Sequence, residues 1–165
     1  KEVFRNIGAC LSAHNAYLQT LGLETFHLRI NKSCHNAQVL AEWLEKQKLI
    51  TRVNYPGLAT SRFHLTSKKQ FGQLHGALLT FDLVKKEYCF EFLNNLKLIR
   101  RATNLNDNKT LAIHPASTIY CEYPPKIRQE LGVSDTMIRM ALGIEEPEDL
   151  IEDILQSLKS YSLRK

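Results

Sequence analysis

One arginine stands in a strand-like pattern in which its side chain shares a face with very small residues. In TMIRMALGI, residues 136–144, apolar side chains alternate with Arg139, Ala141 and Gly143, so these three are expected on one face of a strand. Small neighbours leave space, and a guanidinium that faces this space can bind a carboxylate or phosphate with two parallel hydrogen bonds. The alternative is a structural ion pair, with Glu145 or an acid elsewhere. Periodicity alone does not decide between the two.

A second candidate is LAIHPAST, residues 111–118, in which a histidine and two hydroxyl residues follow a short apolar run. The proline after His114 favours extended backbone at the histidine, which therefore ends a strand. Ser117 and Thr118 can cap the turn that follows. His114 is expected to be a hydrogen-bonded structural residue, since no other Ser, Asp or Cys arrangement completes a nucleophilic triad. The amide-rich turn NLNDN, residues 104–108, suits the orientation of a carboxylate but is equally typical of any loop.

Metal sites and disulfides are not indicated by the cysteines and histidines. The four cysteines lie far apart with no CxxC pair, and the six histidines form no HExxH motif. The spacing that zinc ligands require is therefore missing. Dispersed cysteines are typical of a protein from a reducing compartment.

The elements that must hold these residues follow from hydrophobic periodicity. The sequence predicts a short helix that Ser12 caps and Gly22 interrupts, and then a long helix whose apolar stripe runs from Leu23 to Leu44. Strands are predicted at 50–55, 76–83, 98–103, 110–114 and 136–144, and further helices at 61–70, 89–96, 124–131 and from residue 147 onwards. Because helices and strands mix throughout, the predicted fold class is α+β, a small sheet covered by helices.

Composition and charge exclude several classes of protein. The 165 residues are 44% hydrophobic and 24% charged, which is typical of one globular domain with its own core. No apolar run approaches membrane-spanning length and the start does not resemble a signal peptide, so no membrane partner is expected. The dispersed cysteines suit a cytoplasmic protein. The net charge of +5 comes from 22 basic and 17 acidic residues that are mixed along the chain. A nucleic-acid partner is not expected, because nucleic-acid-binding proteins cluster basic and aromatic residues along one element and this chain does not.

Four stretches, in order and in register, resemble the C-terminal region of the Cys/Met-metabolism family of pyridoxal-phosphate enzymes. They are IGACLSAHNAYLQTLGLETFHLRI, VNYPGL, LAIHPAST and MIRMALGIEEPEDLIEDI. The family comprises cystathionine γ-synthase, cystathionine lyases, methionine γ-lyase and O-acetylhomoserine sulfhydrylase. GLETF and HPAST look most like the sulfhydrylase branch, which makes homocysteine from O-acetylhomoserine and sulfide in methionine biosynthesis.

The resemblance implies the fold of the C-terminal domain of fold-type I pyridoxal-phosphate transferases, with a mostly antiparallel sheet. Residues 1–47 are then a helical lead-in to a cofactor domain, and residues 48–165 the C-terminal α/β domain. Family members are considerably longer, and their cofactor-binding lysine lies upstream of the matching region. We therefore expect no catalytic and no cofactor-binding residue in this chain, and no activity from it alone. The intact enzyme is expected to be a homotetramer that contains pyridoxal phosphate.

The resemblance also assigns site residues. Arg139 matches the arginine that binds the α-carboxylate of the amino-acid substrate, and Asn104 falls where a Ser or Asn helps to hold that carboxylate. Leu105, Thr118 and Ile119 are expected in the neighbourhood of the active site. An O-acetylhomoserine-like amino acid is the implied substrate.

The sequence departs from the family pattern at several positions. Ile119 and Tyr120 stand where Thr-His is usual, and His75 where glycine is common. Asn106 replaces the usual glycine of its turn, which asparagine can do at positive φ. These departures leave the substrate and its γ-leaving group open. A cystathionine γ-synthase or methionine γ-lyase domain, or a stand-alone oligomerisation module without catalysis, remain the alternatives.

Overall fold

A five-stranded sheet lies at the centre of the chain, in a computed structural model that describes residues 2–8 and 10–159. The helices are α1 (Glu2–Ile7), α2 (Ala13–Glu24), α3 (Phe26–Leu44), α4 (His64–Phe71), α5 (Lys86–Asn95), α6 (Pro125–Glu130) and α7 (Pro147–Lys159). The strands are β1 (Ile50–Asn54), β2 (Leu78–Leu83), β3 (Arg100–Arg101), β4 (Leu111–Ile113) and β5 (Met137–Ala141), and a 3₁₀ turn spans Pro115–Ser117. Residues 1, 9 and 160–165 lie outside the described residues. They include the first residue of the predicted lead-in and the last residues of the predicted C-terminal domain.

The strand order is β1-β2-β5-β4-β3, and every neighbouring pair is antiparallel except β3 and β4. The prediction of an α+β fold with a small, mostly antiparallel sheet is therefore confirmed. β5 lies in the middle of the sheet, between β2 and β4. A side chain from the centre of β5 is consequently flanked by strands on both sides.

One face of the sheet carries the hydrophobic core, because β2 and β5 alternate as predicted. Leu79 and Phe81 of β2 and Ile138 and Met140 of β5 are at most 1% exposed. Helices α3 and α5 contact this face, and α7 packs on both helices. Complete burial of such a side chain contributes about 1.5–3 kcal/mol. The core therefore holds the backbone of β5 in place, and with it the residues on the other face of the strand.

The first long helices differ from the prediction. Helix α2 continues through Gly22 and ends before Thr25, because a glycine costs a helix only about 1 kcal/mol relative to alanine. Leu23 belongs to α2 and is 67% exposed, and Phe26 is 51% exposed. The stripe from residue 23 to residue 44 is thus not continuous, and its burial begins in the middle of α3, near Cys34. Periodicity identifies an apolar face but not the partner that covers it.

Strand β3 is shorter than the predicted strand at 98–103. The backbone N–H groups of Lys97, Leu98 and Ile99 donate to the carboxylate of Asp153 in α7 at 2.8–3.0 Å. These amides are therefore not available to a neighbouring strand. No helix in the described part of the chain is long and apolar enough to cross a membrane.

Candidate functional site

Arg139 lies at the centre of β5, opposite Thr80 of β2 and Ile113 of β4. Its side chain is half-buried on the face opposite the core. The guanidinium donates from Nη2 to the carbonyl oxygen of Thr103 at 2.7 Å. Burial lowers the pKa of Arg139, and Tyr120 acts in the opposite direction. The group stays charged at neutral pH, because arginine titrates far above that range.

Within residues 2–8 and 10–159, no carboxylate pairs with Arg139. The carboxylate of Glu145 instead accepts from the backbone N–H and the hydroxyl of Thr110, at 2.7 Å each. The alternative of an ion pair between Arg139 and Glu145 is therefore wrong. A guanidinium has five N–H donors, and the neutral carbonyl of Thr103 uses one of them. The remaining donors suit an anion that this part of the chain does not provide.

The expectation that Gly143 leaves space beside Arg139 is wrong. Gly143 is buried, and a Cβ atom there would lie 2.4 Å from the carbonyl oxygen of Asn108 and 2.6 Å from Oε2 of Glu145. Glycine is required because two other groups approach the backbone closely. The immediate neighbours of Arg139 on its face are the cross-strand residues Thr80 and Ile113.

Residues 103–110 form a loop that begins at the hydrogen-bonding partner of Arg139. Asn104 and Leu105 are exposed and directly follow Thr103 in the chain. Asn106 has φ of +55°, which confirms that asparagine adopts the left-handed conformation of the usual glycine. Arg139 therefore binds the residue that immediately precedes Asn104 in the chain. Thr103 could not be foreseen, because it contributes a backbone carbonyl that every residue type carries.

His114 is a hydrogen-bonded residue of the interior, 1% exposed. Its Nε2 lies 2.8 Å from the carbonyl oxygen of Asp135, and its Nδ1 lies 2.8 Å from the hydroxyl of Ser117. A carbonyl only accepts, so Nε2 donates to Asp135. In the neutral ring Nδ1 then accepts from the hydroxyl of Ser117. The hydroxyl of Thr118 donates to the carbonyl of His114 at 2.9 Å. Both ring nitrogens of His114 therefore have partners, and the bond to Asp135 joins the end of β4 to the segment before β5.

A cavity of about 280 Å³ opens beside this segment. Its walls include Phe90 and Leu93 of α5, Ile113 of β4, Thr118 and Thr103. The cavity is therefore next to the Arg139 site and shares Thr103 with it. Ile119, the other predicted neighbour of the site from this segment, is 42% exposed.

Cysteines and metal-binding side chains add no second site in the described part of the chain. Cys10, Cys34, Cys89 and Cys121 are free thiols, the first and last exposed and the other two buried. Burial raises the pKa of Cys34, and it raises the pKa of Cys89 to about 12. Thiols with raised pKa values are poor nucleophiles and ligands at neutral pH. Among residues 2–8 and 10–159 no three His, Cys, Asp or Glu side chains are arranged to hold a metal ion.

Comparison with known proteins gives a consistent group of relatives. The sequence profile of the Cys/Met metabolism PLP-dependent enzymes matches residues 1–159. L-methionine gamma-lyase of Pseudomonas putida is 38% identical over 154 residues, which are 93% of this chain and 38% of the relative. O-acetyl-L-homoserine sulfhydrylase 1 of Thermus thermophilus is 39% identical over 155 residues, 93% of this chain and 37% of the relative.

Two solved structures superpose on the chain. O-acetylhomoserine sulfhydrylase of Wolinella succinogenes is 50% identical with a TM-score of 0.81, over 95% of this chain and 42% of that protein. A putative O-acetylhomoserine (thiol)-lyase of Campylobacter jejuni, which contains N'-pyridoxyl-lysine-5'-monophosphate, is 36% identical with a TM-score of 0.87, over 94% and 37%. The chain thus spans well under half the length of these relatives.

The described residues do not fit a covalent site for pyridoxal phosphate. A lysine that binds such a cofactor must be held in a desolvated, defined position. Apart from Lys32, the lysines of the described part of the chain are exposed, and Lys32 pairs with Glu146 at 2.7 Å. The described residues instead offer a binding group for an anion, the guanidinium of Arg139.

Proposed function

The chain belongs to the Cys/Met metabolism PLP-dependent enzyme family, and from this premise we propose that it supplies the substrate-carboxylate site of an O-acetylhomoserine sulfhydrylase. That enzyme makes homocysteine from O-acetylhomoserine and sulfide, in methionine biosynthesis. The observation that carries the proposal is the half-buried guanidinium of Arg139, whose acceptor in the described part of the chain is the neutral carbonyl of Thr103.

The geometry of Arg139 favours a carboxylate. The bond to Thr103 engages Nη2, so an edge of the planar guanidinium remains for two parallel N–H···O bonds to a carboxylate. Partial burial strengthens these charge-assisted bonds, because the effective dielectric near the group is lower than that of water. The strand that carries Arg139 is fixed by Ile138 and Met140 in the core. The side chain is therefore attached to a rigid support, as precise substrate orientation requires.

Asn104 is proposed as the second carboxylate-binding group. It is exposed and directly follows Thr103, whose carbonyl accepts from Arg139. An amide N–H can donate to the carboxylate oxygen that Arg139 leaves incompletely bonded. Leu105, Thr118 and Ile119 are proposed to line the neighbourhood of this site.

The rest of the enzyme is part of the same proposal. Pyridoxal phosphate provides the covalent chemistry of the family, and its lysine is proposed to lie outside residues 1–165. Residues 1–47 are proposed as the lead-in to the cofactor domain and residues 48–165 as the C-terminal domain. A cytoplasmic homotetramer is the proposed assembly. The chain alone is proposed to be inactive.

The choice of a sulfhydrylase over a lyase rests on similarity. The identity to the Wolinella succinogenes sulfhydrylase is 50%, against 38% for the Pseudomonas putida methionine gamma-lyase. Similar identities to the lyase and to the Thermus thermophilus sulfhydrylase keep methionine γ-lyase as an alternative. Cystathionine γ-synthase stays the other alternative from the sequence resemblance. Exposed residues that differ from the family pattern, among them Ile119, are proposed to set the substrate preference.

The test is substrate competition in the cofactor-loaded protein that contains this chain. We expect kcat/KM for homocysteine formation from O-acetylhomoserine and sulfide to exceed kcat/KM for thiol release from L-methionine and for cleavage of cystathionine. Dominant thiol release from L-methionine would instead assign the methionine γ-lyase alternative.

An oligomerisation module without catalysis is the second candidate, and helix α2 favours it. None of the α2 residues is buried. Tyr17, Leu18 and Leu21 are 63%, 49% and 47% exposed, which is typical of a surface that another domain or subunit covers. Complete absence of turnover in the full-length protein that contains this chain, after incubation with pyridoxal phosphate, would support this candidate over the sulfhydrylase.

A further inference from the structure

Several hydrogen bonds join the 103–110 loop to β5 and the residues that follow it, and they lie at both of its ends. At the start of the loop the carbonyl of Thr103 accepts from Arg139 at 2.7 Å. At its end Thr110 is fully buried, and its backbone N–H and hydroxyl donate to the two carboxylate oxygens of Glu145 at 2.7 Å each. The same strand and its continuation therefore hold both ends of the loop.

The hydrogen bonds at Thr110 have a defined direction. An ionised carboxylate only accepts, so the hydroxyl of Thr110 donates to Glu145 and accepts from the N–H of Gly143 at 2.9 Å. The carbonyl of Thr110 accepts from the N–H of Arg100 at 3.0 Å. Every polar group of Thr110 has a partner, and the two bonds to Glu145 are charge-assisted and stronger than neutral ones. This end of the loop is thus fixed in one geometry.

The residues around Glu145 are themselves held by the core. Asn36 of α3 is fully buried and donates to the carbonyls of Gly143 and Glu145 at 3.0 and 2.7 Å. The N–H of Ile144 donates to the carbonyl of Asn108 at 3.0 Å. Glu145 therefore belongs to the rigid part of the molecule, and the loop is the part that it positions.

We propose that Glu145 is a positioning residue for the substrate carboxylate: through Thr110 it fixes the 103–110 loop and so places Asn104 relative to Arg139. This inference rests on the proposed function, because Arg139 and Asn104 are the groups that it aligns. Asn104 itself is exposed and lies in a segment without helix or strand. A displacement of about 1 Å in a binding group can reduce a rate by about 100-fold, so the distant clamp at Thr110 affects the site.

The test measures how much the α-carboxylate contributes to binding, with two probes that lack a γ-leaving group and are therefore not turned over. L-norvaline and n-butylamine share the amine and the alkyl chain, and only L-norvaline has the carboxylate. Their Kd values are measured by calorimetry on the cofactor-loaded protein that contains this chain. The ratio of the two Kd values reports the carboxylate site, whereas a general loss of structure affects both probes.

Thr110→Val keeps the shape of the side chain and removes the hydroxyl, and Glu145→Ala removes both bonds to Thr110. We expect each to raise the Kd of L-norvaline by about tenfold and to leave that of n-butylamine unchanged. Thr110→Ser restores the hydroxyl and is expected to return the ratio to its original value. Glu146→Ala is the matched control, because this neighbouring carboxylate pairs with Lys32 at the surface and does not contact the loop.

A double-mutant cycle with Asn104→Ala adds a second measurement. If the clamp acts through Asn104, Thr110→Val has little further effect on L-norvaline once the amide is removed. Additive effects would overturn the inference, as would equal weakening of both probes by Thr110→Val. If Glu145→Ala does not fold, Thr110→Val and Thr110→Ser decide the question.

Arg139→Ala separates this inference from the proposed function. If it reduces the Kd ratio whereas Thr110→Val and Glu145→Ala do not, Glu145 has no positioning role and the carboxylate site stands. If Arg139→Ala leaves the ratio unchanged, both the carboxylate site and the positioning role are rejected.

Discussion

Replacement of Arg139 by alanine removes the group on which the proposed carboxylate site depends. In the loaded enzyme the substrate carboxylate would lose two charge-assisted hydrogen bonds. Truncation of one partner of a desolvated, hydrogen-bonded charge pair costs about 2–5 kcal/mol. Because Arg139 is half-buried rather than fully buried, the lower half of that range applies, about 2–3 kcal/mol. At about 1.4 kcal/mol per tenfold, Arg139→Ala should lower kcat/KM by about 30- to 150-fold.

The same variant should also lose some stability. Arg139→Ala also removes the bond to the carbonyl of Thr103, which contributes about 1.5–3 kcal/mol when the donor is charged. In a domain of this size each kcal/mol shifts Tm by about 2–4 °C. Calorimetric Tm and steady-state kinetics are therefore measured on one preparation. Arg52→Ala is the control, since Arg52 is an exposed arginine of β1 in the same sheet.

Arg139→Lys adds a geometric test. Lysine provides the charge without the planar pair of donors, so it should recover only part of the lost kcat/KM. An Arg139→Ala protein that melts far below the parent yet turns over normally would refute the reasoning, because that pattern belongs to a structural arginine. Full recovery by lysine would reject the paired hydrogen bonds.

Three further predictions concern cofactor binding, association and pH. Borohydride reduction of the chain with pyridoxal phosphate should modify several surface lysines partially, and one saturating, uniquely modified lysine on the peptide map would contradict this. Leu18→Glu should weaken self-association in sedimentation velocity with little change in Tm, because Leu18 is 49% exposed; a strictly monomeric parent at high concentration would exclude the premise. Desolvation, His64 and Lys68 lower the pKa of His75 in the folded chain, so the unfolded chain binds more protons and stability should fall as pH drops below about 6.5. His75→Gln should flatten that part of the stability curve, and an unchanged curve in urea titrations between pH 7 and 5 would reject the assignment.

Short-range patterns in the sequence encode several parts of this protein. The alternation around Ile138 and Met140 correctly separated the core face of β5 from the face of Arg139, because a strand repeats every two residues. Pro147 with two acidic neighbours correctly located the start of α7. Asparagine at residue 106 indicated the left-handed turn, and four motifs in register indicated the family. The first three of these signals each lie within a few neighbouring residues.

Which groups meet across long stretches of chain became clear from the folded structure. Asp153 takes the backbone amides of residues 97–99, so β3 shrinks to two residues. Glu145 binds Thr110, 35 residues away, instead of pairing with Arg139, and Gly143 is small because another segment touches it rather than because space is needed. Such pairings depend on the relative placement of packed elements. Hydrophobic periodicity does not carry this information, since it records which face of an element is apolar and not what lies opposite that face.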